Sequence, residues 1–452
     1  MFRQLTKISA VQSMPMTKFS GLLVAVALLC TILPAASQSP QPIPIETAQT
    51  YFSEARSLCQ ADRGQLWGIS LCGPIMFVDP QSRSLVASQA DANGLLKPEG
   101  GVFVGLMPPD RNIANTAIEW SGVHWTQMLW PLPGDVRQRD TLILHELFHR
   151  IQNQLKLPNI EGGENAHLDT LEGRYYLQLE WRALSGALQA GADEERRVAA
   201  ADAVLFRAER YLLFSGAATQ ELALELNEGL AEYTRVRVGN PTPEEQIKAA
   251  LNDLSVHRND GTFVRSFAYA TSPAYGLLLD CYLPHWRDQL KTDQGFDALL
   301  RNALPMAVPV NLRLAAEQRA AQYDGATLHA AETEKETTRQ QIIAAYRAKF
   351  IDGAVLTLRF RNMHLQLNPT NLQPLGNAGT IYPTLRITDE WGILEAKNGA
   401  LITSDWGAVI VVAPSASAGS NLKGDGWTLE LKPRWKIVPG TRKGDFVLAP
   451  GS

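Results

Sequence analysis

Charged residues are sparse in this sequence, and neither sign dominates. Only 19% of the 452 residues are Asp, Glu, Lys or Arg, and the formal net charge at pH 7 is −4. No stretch gathers lysine and arginine into a basic stripe, so we expect no nucleic-acid partner. Long hydrophobic runs are also lacking, because the apolar run at residues 21–33 is too short for a confident membrane span. At 45% apolar residues, the chain has the composition of a globular protein with ample core.

The N-terminal segment has the features of an export signal. A weakly basic stretch through Lys18 precedes the apolar run, and small residues follow at 35–37. We interpret residues 1–37 as a signal peptide and expect a secreted or periplasmic protein without stable membrane insertion after cleavage. An uncleaved membrane anchor is the alternative. A lipoprotein signal at Cys30 is disfavoured because the preceding Leu29 is not small.

Cysteine is scarce as well. The chain has four cysteines and no CxxC pair that would compete for a metal. Because an exported chain enters an oxidising compartment, we expect Cys59 to form a disulfide with Cys72. Cys281 lies in an apolar run and is expected to be a buried free thiol.

Histidine is rare, with eight in the chain, yet two of them form an HExxH pattern at residues 145–149. Positions i and i+4 of an α-helix share a face, so His145 and His149 can bind one zinc ion together with a third ligand and a water. Glu146 is rotated by about 100° from His145, so it can face that water as a general base. The alternative is a core helix with two incidental histidines. Five others have no ligand-like spacing and are expected to be surface or satisfied core groups: His124, His167, His285, His329 and His364.

Hydrophobic patterning predicts an α+β protein, in which a small, mostly antiparallel sheet leads into a helical region and an all-β C-terminal domain. The sheet is expected within residues 60–132, including a strand at 66–72 and one long alternating strand at 117–130. Helical patterns dominate residues 135–350, so we assign 38–350 to one domain. Residues 351–452 show short strands separated by turn residues, which is typical of a sandwich or barrel. The predicted helices after the metal helix are 167–190, 192–213, 220–238, 244–254, 272–290, 296–303, 312–323 and 330–350.

Three downstream glutamates are candidates for the third zinc ligand. Glu228 lies in the segment Asn-Glu-Gly-Leu-Ala-Glu, whereas Glu172 and Glu180 lie on an earlier predicted helix. For Glu172 and Glu180, the alternative is a surface charge or an ion pair with a nearby arginine.

With these two motifs, the sequence resembles the gluzincin metallopeptidases, which include thermolysin-like enzymes and related zinc aminopeptidases. The resemblance implies His145, His149 and Glu228 as zinc ligands and Glu146 as the base. It also places Glu232 where the family often has an acid supporting the first histidine, with Asn227 in the second motif. The likeness covers mainly residues 141–150 and 226–233.

The spacing of the motifs departs from the family. Glu228 follows His149 by 79 residues, more than in classical members, which an inserted helical hairpin would explain. Glu172 follows by 23 residues and fits the usual spacing better. We favour Glu228, with Glu180 and Glu172 left open.

Two further features fit a peptide-cleaving site. In the resembled family, the sheet edge beside the metal pairs with extended substrate backbone, a role that the strand at 118–130 can take. Tyr269 and Tyr275 follow the glutamate helix and are the candidate electrophiles for a developing oxyanion. Tyr233 and His257 are the alternatives, and each of the four can equally be structural.

The sequence therefore predicts an exported zinc-dependent peptidase that acts on peptide or protein substrates, with Zn²⁺ as its cofactor. One alternative is a non-catalytic exported binding protein on a peptidase-like scaffold. Another is zinc-dependent hydrolysis of a non-peptide bond. Glu146 argues against a purely structural zinc site, which has no use for a general base.

Overall fold

The computed structural model of the chain describes residues 43–304, 309–367, 372–415 and 421–451. The predicted signal peptide at 1–37 lies outside these residues. The described chain has an N-terminal sheet, a central helical region and a strand-rich C-terminal region, so the α+β class is confirmed. Within the described residues, no helix has the length and apolarity needed to cross a membrane.

A helix and a six-stranded sheet form the N-terminal part. Helix α1 (Ile45–Asp62) precedes strands β1 (Ile75–Val78), β2 (Ser84–Ala87), β3 (Lys97–Glu99), β4 (Val102–Leu106), β5 (Thr116–Trp120) and β6 (Val123–Leu129). The strand order is β3-β4-β2-β1-β6-β5, so β5 is an edge strand. Only the β1–β6 pair is parallel, which confirms a mostly antiparallel sheet.

Two strand predictions in this part are wrong. The stretch 117–130 is a hairpin of β5 and β6, because Ser121 and Gly122 both have positive φ angles and form a tight turn. Residues 66–72 form turns and bends instead of a strand. Their backbone carbonyls accept from a side chain, since Arg150 Nη2 donates to the carbonyls of Leu71 and Cys72 at 3.0 and 2.9 Å.

The cysteine predictions have mixed outcomes. Cys59, in the last turn of α1, forms a disulfide with Cys72, as predicted. Cys281 is a free thiol, but it is exposed and not buried. It lies in the last turn of a helix, where the apolar sequence around it does not fix which residues face the core.

The first helix of the central region is α2 (Val136–Gln152), which carries the HExxH pattern. It begins after Asp135, whose carboxylate accepts from the backbone N–H of Gln138 at 2.9 Å. Its apolar side chains face the core: Ile143, Leu144, Leu147, Phe148 and Ile151 are fully buried. Strands β5 and β6 contact α2 directly, so the sheet and this helix share one core.

Nine further helices follow α2 in the described residues. They are α3 (Leu171–Gln189), α4 (Asp193–Leu213), α5 (Ala217–Leu224), α6 (Leu230–Gly239), α7 (Pro243–Val256), α8 (Ser266–Tyr282), α9 (Phe296–Ala303), α10 (Leu312–Ala320) and α11 (Gly325–Arg347). The single helix predicted at 220–238 is α5 and α6 joined by a π-helical turn, Glu225–Gly229. Helix α8 begins six residues before the predicted start at 272 and contains Pro273, so Tyr269 is helical.

The C-terminal strands form two sheets. In chain order they are β7 (Val355–Arg359), β8 (His364–Leu367), β9 (Gln373–Pro374), β10 (Thr380–Tyr382), β11 (Leu385–Asp389), β12 (Gly392–Ala396), β13 (Ala400–Ile402), β14 (Ala408–Val412), β15 (Asn421–Gly424), β16 (Trp427–Leu431), β17 (Trp435–Pro439) and β18 (Phe446–Pro450). One sheet has the order β17-β18-β7-β14-β13-β10-β9 and the other β15-β16-β12-β11-β8. Side chains from both sheets, including Val409, Trp391 and Leu429, share a core of their own.

Candidate metal centre

The two histidines of α2 point their Nε2 atoms at the same place. His145 and His149 are one helical turn apart, and their Nε2 atoms lie 3.0 Å from each other. The predicted pairing of these two histidines is present.

Glu228 completes the cluster. Its Oε2 atom lies 3.3 Å from His145 Nε2 and 3.7 Å from His149 Nε2. Two ligand atoms held at about 2.1 Å from a tetrahedral zinc ion are about 3.4 Å apart. The three observed separations bracket that value, so this donor set fits a zinc ion without large rearrangement.

A π-helical turn brings Glu228 to this position. Four glutamates follow one another at spacings of four, three and four residues: Glu221, Glu225, Glu228 and Glu232. In a regular α-helix all four would share one face. In the structure the first two bind arginines of α4, whereas the last two face α2. The turn Glu225–Gly229 lies between these pairs, and its wider i→i+5 geometry rotates the second pair away from the first.

The outer nitrogen of each histidine ring has its own acceptor. His145 Nδ1 donates to Glu232 Oε1 at 3.1 Å, and His149 Nδ1 donates to Gln152 Oε1 at 3.0 Å. The amide orientation of Gln152 is fixed, because its Nε2 donates to Leu226 O at 3.2 Å and to Asn227 Oδ1 at 3.3 Å. With the Nδ1 atoms held in this way, the two Nε2 atoms point at the cluster and are the nitrogens that would bind a metal ion.

Glu232 is itself held by a charged partner. Arg235 donates from Nε to Glu232 Oε2 and from Nη2 to Asp253 Oδ2. Glu232 and Asp253 are almost completely buried, and burial raises the pKa of Asp253 to about 6 against the opposing charge of Arg235. Glu232, the acid predicted to support His145, therefore belongs to a buried network of charged side chains that includes Arg235 and Asp253.

Two side chains hold the carboxylate of Glu228. Tyr269 donates its hydroxyl proton to Oε2 at 2.6 Å, and Arg265 Nη2 donates to Oε1 at 3.1 Å. The ring of Tyr269 also stacks on His145, with a centroid distance of 5.8 Å and an angle of 6°. Tyr269 lies at the site as predicted, but its one proton is committed to Glu228 and not to an oxyanion.

Glu146 is buried beside the cluster without a hydrogen bond on one oxygen. Its side chain is 4% exposed, and its Oε2 atom has no partner among the described residues. Burial raises the pKa of Glu146, and the charges of His145 and His149 oppose this rise. An unpartnered carboxylate oxygen next to a metal-binding cluster is free to accept a proton.

The charges of the cluster stabilise one another. Burial alone would lower the pKa of His145, but hydrogen bonds with Glu228 and Glu232 outweigh it and raise the pKa to about 10. Burial would raise the pKa of Glu228, yet its bonds to the two histidines and Tyr269 hold it well below the usual range. The pKa of Glu232 is also lowered, against burial, by its hydrogen bond with His145. In the metal-free protein, the charges of His145, Glu228 and Glu232 therefore favour one another despite their burial.

The structure does not bring Tyr275 to the cluster, which corrects its assignment as a candidate electrophile. Tyr275 is fully buried, and its hydroxyl donates to Glu180 Oε1 at 2.9 Å. Glu180 in turn binds Arg207 and Arg210 at 2.6 and 2.7 Å, so neither Tyr275 nor Glu180 is available to a metal. Glu172 lies in the first turn of α3 and is not part of the donor cluster either.

Two residues that contact the site, Gln152 and Arg265, were not predicted from the sequence. Gln152 lies three residues after His149 on the same helix face, a spacing that could have identified it as an acceptor. Arg265 lies four residues before Tyr269, but α8 was predicted to start after both, so their shared face was not recognised. Asn227 lies beside the cluster, donating weakly to Glu228 Oε1 at 3.4 Å.

No protein-family model, curated protein or solved structure matches this chain. The donor geometry is therefore the main support for any functional proposal.

Proposed function

We propose that this protein is an exported zinc-dependent peptidase that uses Glu146 as its general base. The observation that carries the proposal is the convergence of His145 Nε2, His149 Nε2 and Glu228 Oε2, with separations of 3.0–3.7 Å. The fixed Nδ1 partners of both histidines support it, because they orient the rings for metal binding.

Zn²⁺ bound by these three side chains would polarise a substrate carbonyl and make a water more acidic. The protein residues have separate tasks. Glu146 takes a proton from the attacking water at its unpartnered Oε2 atom and delivers it to the leaving amine. Burial raises the pKa of Glu146, which strengthens it as a proton acceptor.

Residues around the metal ligands have positioning and stabilising roles. Tyr269 and Arg265 hold the two oxygens of Glu228, so they orient the ligand. With the proton of Tyr269 committed to Glu228, and with Tyr233 fully buried and its hydroxyl donating to Asp280, His257 is the remaining sequence candidate for stabilising negative charge on the substrate. Its ring lies 6.3 Å from that of Tyr269, and Asp260 binds its Nδ1 at 2.7 Å.

An extended peptide substrate can pair with the free edge of the N-terminal sheet. Strand β5 (Thr116–Trp120) is an edge strand and contacts α2, the helix that carries the histidines. Pairing of a peptide with this edge would supply backbone hydrogen bonds without selecting for side chains. The edge strand thus favours peptides as the substrate class.

Export is supported by the disulfide. The Cys59–Cys72 bond is typical of an oxidising compartment, and the basic, apolar and small-residue pattern of residues 1–37 is typical of a signal peptide.

The proposal is tested by measuring metal content and peptide hydrolysis of the purified protein, together with Glu146→Gln. We expect one zinc per chain, and a loss of at least about a hundredfold in hydrolysis for Glu146→Gln with the zinc content unchanged. Glu161→Gln, a change at an exposed glutamate, is the matched control and should behave as wild type.

Other outcomes contradict parts of the proposal. Zinc without any hydrolysis by the wild-type protein would favour a binding protein on the same scaffold. A chain that neither contains nor takes up zinc would end the hydrolase proposal. Normal hydrolysis by Glu146→Gln would show that another group is the base.

A further inference from the structure

A second site is indicated by an arginine without a counter-charge. Arg258 lies in a short 3-10 turn, His257–Asn259, between α7 and α8, and its side chain is half-buried. Its Nε atom is buried and has no hydrogen-bond acceptor, and its Nη2 reaches only Ser185 Oγ, at 3.4 Å. Among the described residues, no carboxylate lies within ion-pair distance of Arg258. A guanidinium in this position lacks the partners that buried cations normally have.

A second guanidinium increases the local positive charge. Arg182 lies one turn before Ser185 on α3, and its Nη1 donates to the carbonyls of Tyr323 and Asp324 at 2.5 and 3.2 Å. Its nearest carboxylate oxygen, on Asp324, is 3.7 Å away on a side chain that is 65% exposed. Burial lowers the pKa of Arg258, and the charge of Arg182 lowers it further. The two cations therefore repel each other, and in the part of the chain that the structure describes no buried acid lies within ion-pair distance of either one.

A bound oxyanion would neutralise the excess positive charge of Arg258 and Arg182. The planar guanidinium of arginine binds carboxylate and phosphate oxygens through two parallel N–H donors, which here include the unpartnered Nε of Arg258. The hydroxyl proton of Ser185 is donated to Trp181 O at 2.8 Å, so Ser185 offers Arg258 a weak acceptor and does not compete for an anion. The chemistry of the site thus selects a small ligand with negatively charged oxygens.

We propose that Arg258 and Arg182, beside Ser185, bind a small oxyanion of the phosphate or carboxylate kind. The site is separate from the metal centre, because Arg258 reaches α3, whereas the adjacent His257 faces Tyr269. A bound anion would link α3 to the turn that carries His257 and fix that turn. The proposal does not depend on peptidase activity.

The test is a titration of the full-length protein with inorganic phosphate at constant ionic strength, in which chloride replaces phosphate. We expect saturable binding by calorimetry, and a Kd weaker by about tenfold to a hundredfold for Arg258→Gln, since charged hydrogen bonds are lost. Arg182→Gln should weaken binding in the same direction. Arg301→Gln, at an exposed arginine outside the site, is the matched control and should leave the Kd unchanged.

Thermal unfolding provides a second, independent readout. Without phosphate, Arg258→Gln should be at least as stable as wild type, because it removes an unpartnered cation repelled by Arg182. With phosphate, the Tm of the wild type should rise while that of Arg258→Gln stays constant. Acetate in place of phosphate distinguishes a carboxylate ligand from a tetrahedral anion.

Three results would overturn the proposal. The first is no stabilisation or binding by either phosphate or acetate. The second is equal phosphate binding by wild type and Arg258→Gln, which would place the anion at the metal centre or elsewhere. The third is a phosphate-free Arg258→Gln protein that is clearly less stable than Arg301→Gln, which would show that Arg258 is already satisfied.

Discussion

Replacing Tyr269 by phenylalanine separates two roles that this residue can have at the metal centre. The hydroxyl donates to Glu228 Oε2 at 2.6 Å, and that oxygen is the one nearest to both histidines. Phenylalanine keeps the ring that stacks on His145 and removes only this donor. If the role of Tyr269 is to position Glu228, removing the hydroxyl should weaken zinc binding more than it slows hydrolysis at saturating zinc.

The expected size follows from the contacts. A hydrogen bond to a charged group contributes about 1.5–3 kcal/mol, and about 1.4 kcal/mol corresponds to a tenfold change in affinity. Arg265 still holds the other oxygen of Glu228 in the variant, so the carboxylate keeps part of its orientation. Mutating a residue that holds a metal ligand typically weakens metal binding by about 10- to 100-fold. We expect Tyr269→Phe to lie at the lower end of that range, with about a tenfold increase in the zinc Kd.

The assay is competition for zinc against a chelator of known affinity, followed by hydrolysis measured at saturating zinc. Tyr275→Phe is the matched control, because it removes a hydroxyl of the same kind that donates to Glu180 in the buried ion cluster. That control should lose about 1–3 kcal/mol of stability and keep its zinc Kd. An unchanged zinc Kd for Tyr269→Phe, together with a loss of about 10²–10³ in kcat, would instead identify Tyr269 as an oxyanion donor and refute the positioning role.

Three further predictions follow from the same structure. Because hydrogen bonds raise the pKa of His145 to about 10 in the metal-free protein, zinc binding at pH 8 should release close to one proton from it, and this release should vanish above about pH 10. Calorimetry in buffers of different ionisation enthalpy measures that release, and a value near zero at pH 8 would contradict the raised pKa. Gln152→Ala removes the acceptor for His149 Nδ1 and should weaken zinc binding by about 10- to 100-fold, which chelator competition would detect; an unchanged Kd would show that Gln152 does not orient the ring. Replacing Cys59 and Cys72 together by alanine should destabilise the fold by about 3 kcal/mol, measured by urea unfolding, and equal midpoints for both proteins would argue against a stabilising disulfide.

The convergence of the two histidines could be predicted because its geometry is local. His145 and His149 need only a regular helix to share a face, and the apolar positions of α2 and its Asp135 cap are visible in the sequence. The role of Glu232 was implied by the family resemblance, which places an acid at this position to support the first histidine.

The remaining parts of the site depend on distant contacts. Nothing in the glutamate spacing indicates the π-helical turn, since a regular helix fits residues 220–238 equally well. Tyr269 and Tyr275 looked equivalent because they lie six residues apart in the same apolar stretch. On α8, however, one faces the histidines and the other faces the buried arginines of α4, and only the packing of α8 separates them.

The hairpin within 117–130 shows a similar limit. The apolar residues change from even to odd positions across the turn, from Ile118 and Trp120 to Val123 and Trp125, because Ser121 and Gly122 reverse the chain. The alternation therefore indicated the faces of each strand, and the shift between the two patterns was the signal of the turn that the single-strand prediction missed.

The loop that the disulfide closes reaches both helices of the metal centre. Within it, Trp67 donates to Thr234 of α6 at 2.9 Å and packs on Phe148 of α2, while Arg150 holds the carbonyls near Cys72. The disulfide therefore links segments from distant parts of the sequence that support the histidines and Glu232. If the protein is the exported zinc peptidase proposed above, its reduced form before export should bind zinc more weakly than the oxidised form and should have little activity.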